Sequence, residues 1–157
     1  MQGTCGENLD VLARAPLWNE FLNYRHGTGH GVGSFLCVHE GPQRISQASS
    51  GVALLPGMIV SNEPGLYIDG TYGVRIENLC LVTEIEHAMA KSSSYGPFYQ
   101  FEDLTLVPYC KKLIEVDLLS PEDKQQIKLY YQRIVEQVVP RLSRELKAWV
   151  SNQLAIF

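Results

Sequence analysis

The rhythm of apolar and polar positions changes along this 157-residue chain, and each change predicts a different element. Near the start, Leu9, Leu12 and Ala13 recur at helical spacing. Asn8 stands where an N-cap belongs and Pro16 punctuates the pattern, so a short helix is expected over 9–15. Pro16-Leu17-Trp18 suits the opening of a second helical turn. The stretch before the helix, Met1-Gln2-Gly3-Thr4-Cys5-Gly6, is too glycine-rich to begin one and reads as an interior loop of a longer chain. From Leu54 the period falls to two. Residues 58–63 read as a strand closed by Pro64-Gly65, and 66–68 and 72–82 flank Asp69-Gly70, a strong hairpin signal. Alternation across 72–82 places Arg75 and Glu77 on one face with Leu79 and Leu81, and Val74, Ile76, Asn78 and Cys80 on the other. Residues 84–97, with three successive serines and Gly96-Pro97, read as a loop or junction, and 98–107 as a further strand. Ser120-Pro121-Glu122-Asp123 then supplies a cap, a proline at the first helical position and acids in the first turn. Ile127, Tyr130, Tyr131, Ile134 and Val138 form the apolar stripe of that helix. Leu142, Leu146, Trp149 and Val150 continue it beyond Pro140, which kinks or splits the helix. The whole reads as an α+β chain of antiparallel strands and helices, with a boundary between 97 and 98.

Composition narrows the class. At 45% hydrophobic the chain can bury one respectable core. Its net charge of −4 offers no basic footprint, so nucleic acid is not an expected partner. No run approaches the roughly 20 apolar residues that cross a bilayer, so no membrane partner is expected either. Four widely spaced cysteines without a CxxC pair argue against a zinc ribbon and for free thiols in a reducing compartment, the cytoplasm. Cys37 and Cys80 lie in apolar runs and read as small buried hydrophobes.

Candidate chemistry gathers in RHGTGHGVG, residues 25–33, and in the nearby His39-Glu40. His26, His30 and His39 fall within fourteen residues, interleaved with glycines that let backbone approach closely. Neither GxGxxG nor GxxxxGK[ST] is present, so this is not a phosphate loop. Glu63 and Glu77 sit among apolar strand-like residues, where an ionised group needs a partner. Taken singly, His30 is a hydrogen-bonded structural histidine, Glu63 a turn cap and Glu77 an edge charge paired with Arg75; His87 lies in a polar loop and reads as solvated. Taken together, His30, Glu63 and Glu77 form a donor set for manganese, iron, cobalt or zinc, with His26 and His39 as nearby hydrogen-bond donors or proton shuttles.

These residues also carry a family resemblance. GTGHGVG, VHEGP, PGMIVSNEPGLYI and GVRIENLCLV, in that order, resemble the catalytic half of the M24 or "pita-bread" metallopeptidases. The stretch from Tyr95, YGPFYQFEDLTLVPYCKKLIEVDLLSPED, is similar to the C-terminal region of the long, cytosolic-type Xaa-Pro aminopeptidases. The resemblance implies a curved antiparallel sheet with flanking helices over 1–97 and a helical C-terminal region over 98–157. It implies removal of the N-terminal residue from peptides with proline second, and a homodimer in the parent protein. Two divalent ions are implied, manganese first and zinc or cobalt as alternatives, held by two aspartates, one histidine and two glutamates. Position by position, His30, Glu63 and Glu77 match ligands, with Glu63 also assisting the attacking water. His26 and His39 match the non-ligand histidines that position substrate and stabilise the tetrahedral intermediate, and Arg75 an arginine that supports the site. The family's two aspartates lie upstream of the glycine–histidine loop. Here only 25 residues precede His26, and their single aspartate, Asp10, has helical spacing. The chain is therefore expected to hold part of a metal site and to be inactive alone. A non-catalytic pita-bread binding or dimerisation module and a prolidase-like dipeptidase are the competing expectations. In the dimerisation reading, Tyr95, Tyr99, Tyr109, Tyr130 and Tyr131 fit an interface as well as a core.

Overall fold

A computed structural model describes residues 1–155 and divides the chain into two compact units, Met1–Thr105 and Leu106–Phe157. In the first unit, helix α1 spans Gly6–Asn19, longer at both ends than its apolar spacing predicts. The cap is Cys5 rather than Asn8. Asn8 works from inside the helix, its Oδ1 accepting the Cys5 N–H at 2.9 Å. Gly6 can open the helix because it is pressed against the strand at Arg44–Ile45, where a Cβ would lie 1.8 Å from the Arg44 carbonyl oxygen. Pro16 lies within α1 and does not end it, for the helix is anchored by the buried side chains of Asp10 and Arg14.

Beyond α1 the first unit holds three small antiparallel sheets. β1 (Gly29–His30) pairs with β2 (Arg44–Ile45). β3 (Ile59–Asn62), β6 (Asn78–Glu84) and β7 (Tyr99–Asp103) form a three-stranded sheet with β6 central. β4 (Gly65–Ile68) and β5 (Tyr72–Arg75) make the hairpin around Asp69-Gly70. The expected strand over 72–82 is two strands. Chain direction and β-propensity continue through it, but the partner changes: Arg75 is opposite Gly65 and Asn78 is opposite Asn62, leaving Ile76 and Glu77 in the break. The face assignment changes with it. Residues of β5 are exposed throughout, while on β6 Asn78, Cys80 and Val82 are buried and Leu79 and Leu81 only half-buried. Cys80 and Val82 join Ile45, Leu54 and Val60 in the core, with Leu9, Met58 and Tyr99 packed against it.

Cys37 does not join that core; it is exposed. Its apolar run, 34–38, folds as a tight loop closed by Gly33 N–H donating to the Cys37 carbonyl at 2.9 Å. Phe35 and Leu36 point into solvent with φ of 52° and 65°. The short helix α2 (Ala88–Lys91) interrupts the expected loop, and His87 caps it by accepting the Met89 N–H. Because β7 pairs with β6, residues 99–103 belong to the first unit. The compact units of the structure divide between Thr105 and Leu106.

The second unit is helical. α3 (Pro121–Gln137) starts at Ser120, whose hydroxyl accepts the Asp123 N–H, and Pro140 sits in a 3₁₀ turn, Val139–Arg141, that splits α3 from α4 (Arg144–Leu154). Tyr130, Tyr131, Ile134 and Val150 form its core, with Tyr109 stacked on Tyr130 at 4.8 Å between ring centroids. Those three tyrosines are core residues, whereas Tyr95 is 76% exposed. Of the expected continuation, Val150 and Leu142 pack at the core with Leu154 beside them, while Leu146 and Trp149 are largely exposed. Among the described residues no helix is long and apolar enough to cross a membrane.

Candidate metal centre

The glycine–histidine loop is fixed from below by a buried polar network that starts in α1. Arg14 Nε donates to Asp10 at 2.6 Å, and its terminal nitrogens donate to the carbonyls of Tyr24 and His26, each at 2.7 Å. The Arg14 guanidinium also lies over the Tyr24 ring, 3.9 Å from its centroid. Thr28 donates to Asp10 at 2.6 Å and pairs with the Tyr24 hydroxyl. Burial pushes the Asp10 carboxyl up, but the Arg14 and Thr28 hydrogen bonds outweigh it and hold the group below its ordinary value. Asp10, the one aspartate upstream of the loop, is therefore committed to structure.

Above this network, β1 lies against β3. A Cβ on Gly29 would stand 1.9 Å from the Ser61 carbonyl oxygen, so only glycine allows the approach. The approach delivers His30 to Glu63. His30 N–H donates to the Ser61 hydroxyl at 3.0 Å, which in turn donates to Glu63 Oε1 at 2.8 Å. His30 Nε2 is 3.1 Å from the same Oε1. Glu63 is buried, and Arg75 donates to its other oxygen at 3.2 Å.

His30 Nδ1 contacts the Gly31 carbonyl at 2.9 Å, and a carbonyl can only accept, so this nitrogen carries the proton. In the neutral ring Nε2 then presents a lone pair toward a carboxylate oxygen. Two acceptors 3.1 Å apart require a cation between them, a proton or a metal ion. Ligands each about 2.1 Å from one ion stand about 3.0–3.4 Å apart, so the pair fits a metal as it stands.

Glu77 is placed differently. It sits in the β5–β6 break, nearly half exposed, and approaches the others only through Arg75, at 3.9 Å. Among the described residues, no group of three histidine, cysteine, aspartate or glutamate side chains gathers at metal-binding distance. His30 and Glu63 are thus brought together directly, and Glu77 through its arginine.

Arg75 is the hub of a second arm. Its Nε donates to the Tyr67 hydroxyl at 2.8 Å, and that hydroxyl lies 2.8 Å from His26 Nε2, whose Nδ1 donates to the Gly27 carbonyl. His26 therefore accepts from Tyr67, while Tyr67 accepts from Arg75. His39 packs edge-on against His30, with ring centroids 4.4 Å apart. His26, His30, His39, Glu63 and Arg75 all line one open cleft of about 470 Å³. Ser61, Tyr67 and the Asp10–Arg14 pair were not marked by the sequence pattern. A serine or tyrosine in a strand reads as filler, and an Asp–Arg pair four apart reads as a solvated helix pair. The one available signal was that Ser61 and Tyr67 flank Glu63 within the SNEPGLY motif.

The histidine loop, backed by α1, thus faces one carboxylate just past the end of β3 and, through Arg75, a second in the β5–β6 break. The description of metallopeptidase family M24 matches residues 1–84, and that of the C-terminal region of peptidase M24 matches residues 97–156. The chain belongs to metallopeptidase family M24, and its open antiparallel sheets and helices are part of the pita-bread fold. It is 52% identical over 139 residues to a probable Xaa-Pro aminopeptidase P of Tuber melanosporum, a match covering 86% of this chain and 22% of the relative. Identity to the Xaa-Pro aminopeptidase 2 of Homo sapiens is 47% over 141 residues, covering 90% and 20%. Among solved structures, X-prolyl aminopeptidase from Caenorhabditis elegans, described as a cytosolic enzyme with a di-nuclear active site, superposes with a TM-score of 0.82. It is 35% identical, over 98% of this chain and 24% of that one. The chain spans about a fifth of the length of the curated relatives it matches.

Proposed function

We propose that this chain is the C-terminal half of the catalytic domain, with the C-terminal region, of an Xaa-Pro aminopeptidase, which releases the N-terminal residue from peptides with proline second. The observation that carries the reading is the buried Glu63 carboxylate facing the His30 lone pair in an open cleft. That it lies in a chain about half identical to aminopeptidases P gives the reaction class. His30, Glu63 and Glu77 would hold a divalent ion, manganese first, with zinc or cobalt as alternatives for a mixed imidazole–carboxylate set. Such an ion, when bound, polarises the scissile carbonyl and makes a water more acidic.

The rest is work for the chain's own side chains. Arg75 holds Glu63 in place by donating to its second oxygen, and Glu63 accepts the proton of the attacking water. His39, on the cleft wall, donates to the oxyanion as the carbonyl becomes tetrahedral, while His26, whose one N–H is spent on the Gly27 carbonyl, positions the substrate. Tyr67 and Arg75 set the orientation of the His26 ring. Retention of His30, Glu63 and Glu77 weighs against a module that only binds.

Asp10 is spent on Arg14 and Thr28, so the donors for a second ion are outside this set, and the chain alone is expected to lack peptidase activity. Calorimetric titration with Mn²⁺ tests the reading. One weakly bound ion per chain is expected, with affinity reduced about 10- to 100-fold in Glu63→Gln and in Glu77→Ala. Two tight ions, or binding indifferent to both substitutions, would overturn it. A robust release of glycine from Gly-Pro-Ala by the purified chain, abolished by Glu77→Ala, would overturn the expected inactivity. Cytoplasmic location and a homodimeric parent belong to the same proposal. The first is supported by the cytosolic description of the Caenorhabditis relative. Equilibrium sedimentation of the parent tests the second.

A further inference from the structure

Beside the metal-donor cleft lies a second one, of about 620 Å³, and His26 and Arg75 line both. The two clefts are therefore adjoining parts of one concave surface. Arg25, Tyr67 and Asp69 are among the side chains of the second part. Arg75 is engaged with Glu63 and Tyr67. Arg25 is exposed and has no hydrogen-bond or ion-pair partner among the described residues. A guanidinium standing on a cleft wall next to the reactive histidine presents a planar fork that a carboxylate fits in bidentate fashion. Asp69 on the same wall disfavours a second negative charge and offers an acceptor to a peptide N–H.

Resting on the aminopeptidase reading, we infer that Arg25 is a specificity-determining residue that takes a single carboxylate carried by the part of the peptide lying beyond His26. In a short peptide the C-terminal carboxylate meets it; in a longer one, an acidic side chain at the same distance does. Short peptides with a free terminus are then preferred over amidated ones.

Chemical-shift titration of the ¹⁵N-labelled chain with Gly-Pro-Ala, Gly-Pro-Ala-amide and Gly-Pro-Glu-amide tests this, with the amides of His26 and Tyr67 as reporters. The free acid is expected to bind about fivefold more tightly than its amide, the range of a partly exposed charge pair. Arg25→Met should erase the preference while leaving both amides responsive, and Arg25→Lys should keep part of it. Tight binding by Gly-Pro-Glu-amide as well assigns the contact to any carboxylate within reach; its absence assigns it to the terminus. Equal affinities for acid and amide, a preference that survives Arg25→Met, or no response to any of the three peptides would overturn the assignment. The Mn²⁺ titration decides the metal-site reading separately.

Discussion

Arg75 makes contacts in two directions, to Glu63 on one side and to Tyr67 and through it His26 on the other. Tyr67→Phe removes the middle atom of that chain and leaves the Arg75 Nε–H without its acceptor. We expect Mn²⁺ affinity to fall, in the lower part of the 10- to 100-fold range seen for residues that orient metal ligands, with no loss of folded structure by circular dichroism. Asp10 makes the opposite kind of prediction, one of stability. Its folded-state value lies below the ordinary 3.8, so the stabilisation is complete above that pH and disappears as pH falls through the lowered value. Asp10→Asn leaves Arg14 charged and buried, at a cost of about 3–5 kcal/mol at pH 7. In urea titrations, the gap between wild type and variant should stay constant from pH 7 to about pH 5 and close below about pH 4. At this scale the sequence singled out His26, His30, His39, Glu63, Glu77 and Arg75 by their chemistry; all but the half-exposed Glu77 line one cleft. It did not show Tyr67 or Ser61, because a hydroxyl in a strand acquires its role only from the group that stands across from it.

Among the elements, the contact of β1 with β3 has least tolerance. Gly29→Ala would drive a methyl into the Ser61 backbone and displace the hydroxyl that joins His30 to Glu63. A loss of about 2–4 kcal/mol is expected, with Mn²⁺ binding lost in the same variant while still folded at low temperature. The helices and hairpin were legible from period and turn residues. The break at Ile76 and Glu77 was not, because alternation describes one strand and is blind to a change of partner. Beyond Pro140, Leu142 and Val150 were legible and Leu146 and Trp149 were not: the split at the proline was expected, but how far a 3₁₀ turn rotates the next helix is not written in the apolar spacing. Ile134, fully buried between the two helices, should cost about 2–5 kcal/mol when cut to alanine, with hydrogen-exchange protection lost across α3 and α4.

Across the whole chain, three of the four thiols report on folding. Burial, and then Asp103, push the Cys80 thiol up to about 12, so it is both enclosed and protonated. With an aromatic disulfide reagent at pH 8, Cys110 and Cys37 should react at once, and Cys80 only as the first unit unfolds. Cys37 should be the slower of the two exposed thiols, because its hydrogen bond to Glu40 raises it as well. Reaction of Cys80 at the rate of Cys110 in native buffer would contradict its place beside Val60 and Val82 in the core.

The loop over 34–38 has its ends tied. Gly31 donates to the Gln43 carbonyl and accepts from Glu40, both at 3.0 Å, and Gly33 is bonded to Cys37. Its apex, Phe35 and Leu36, touches none of that clasp's hydrogen bonds and projects into solvent. Chain closure becomes harder only with the logarithm of length, by about 0.6 kcal/mol for each doubling. A reporter peptide grafted between Phe35 and Leu36 should therefore ride within a few residues of the histidines while leaving their register untouched.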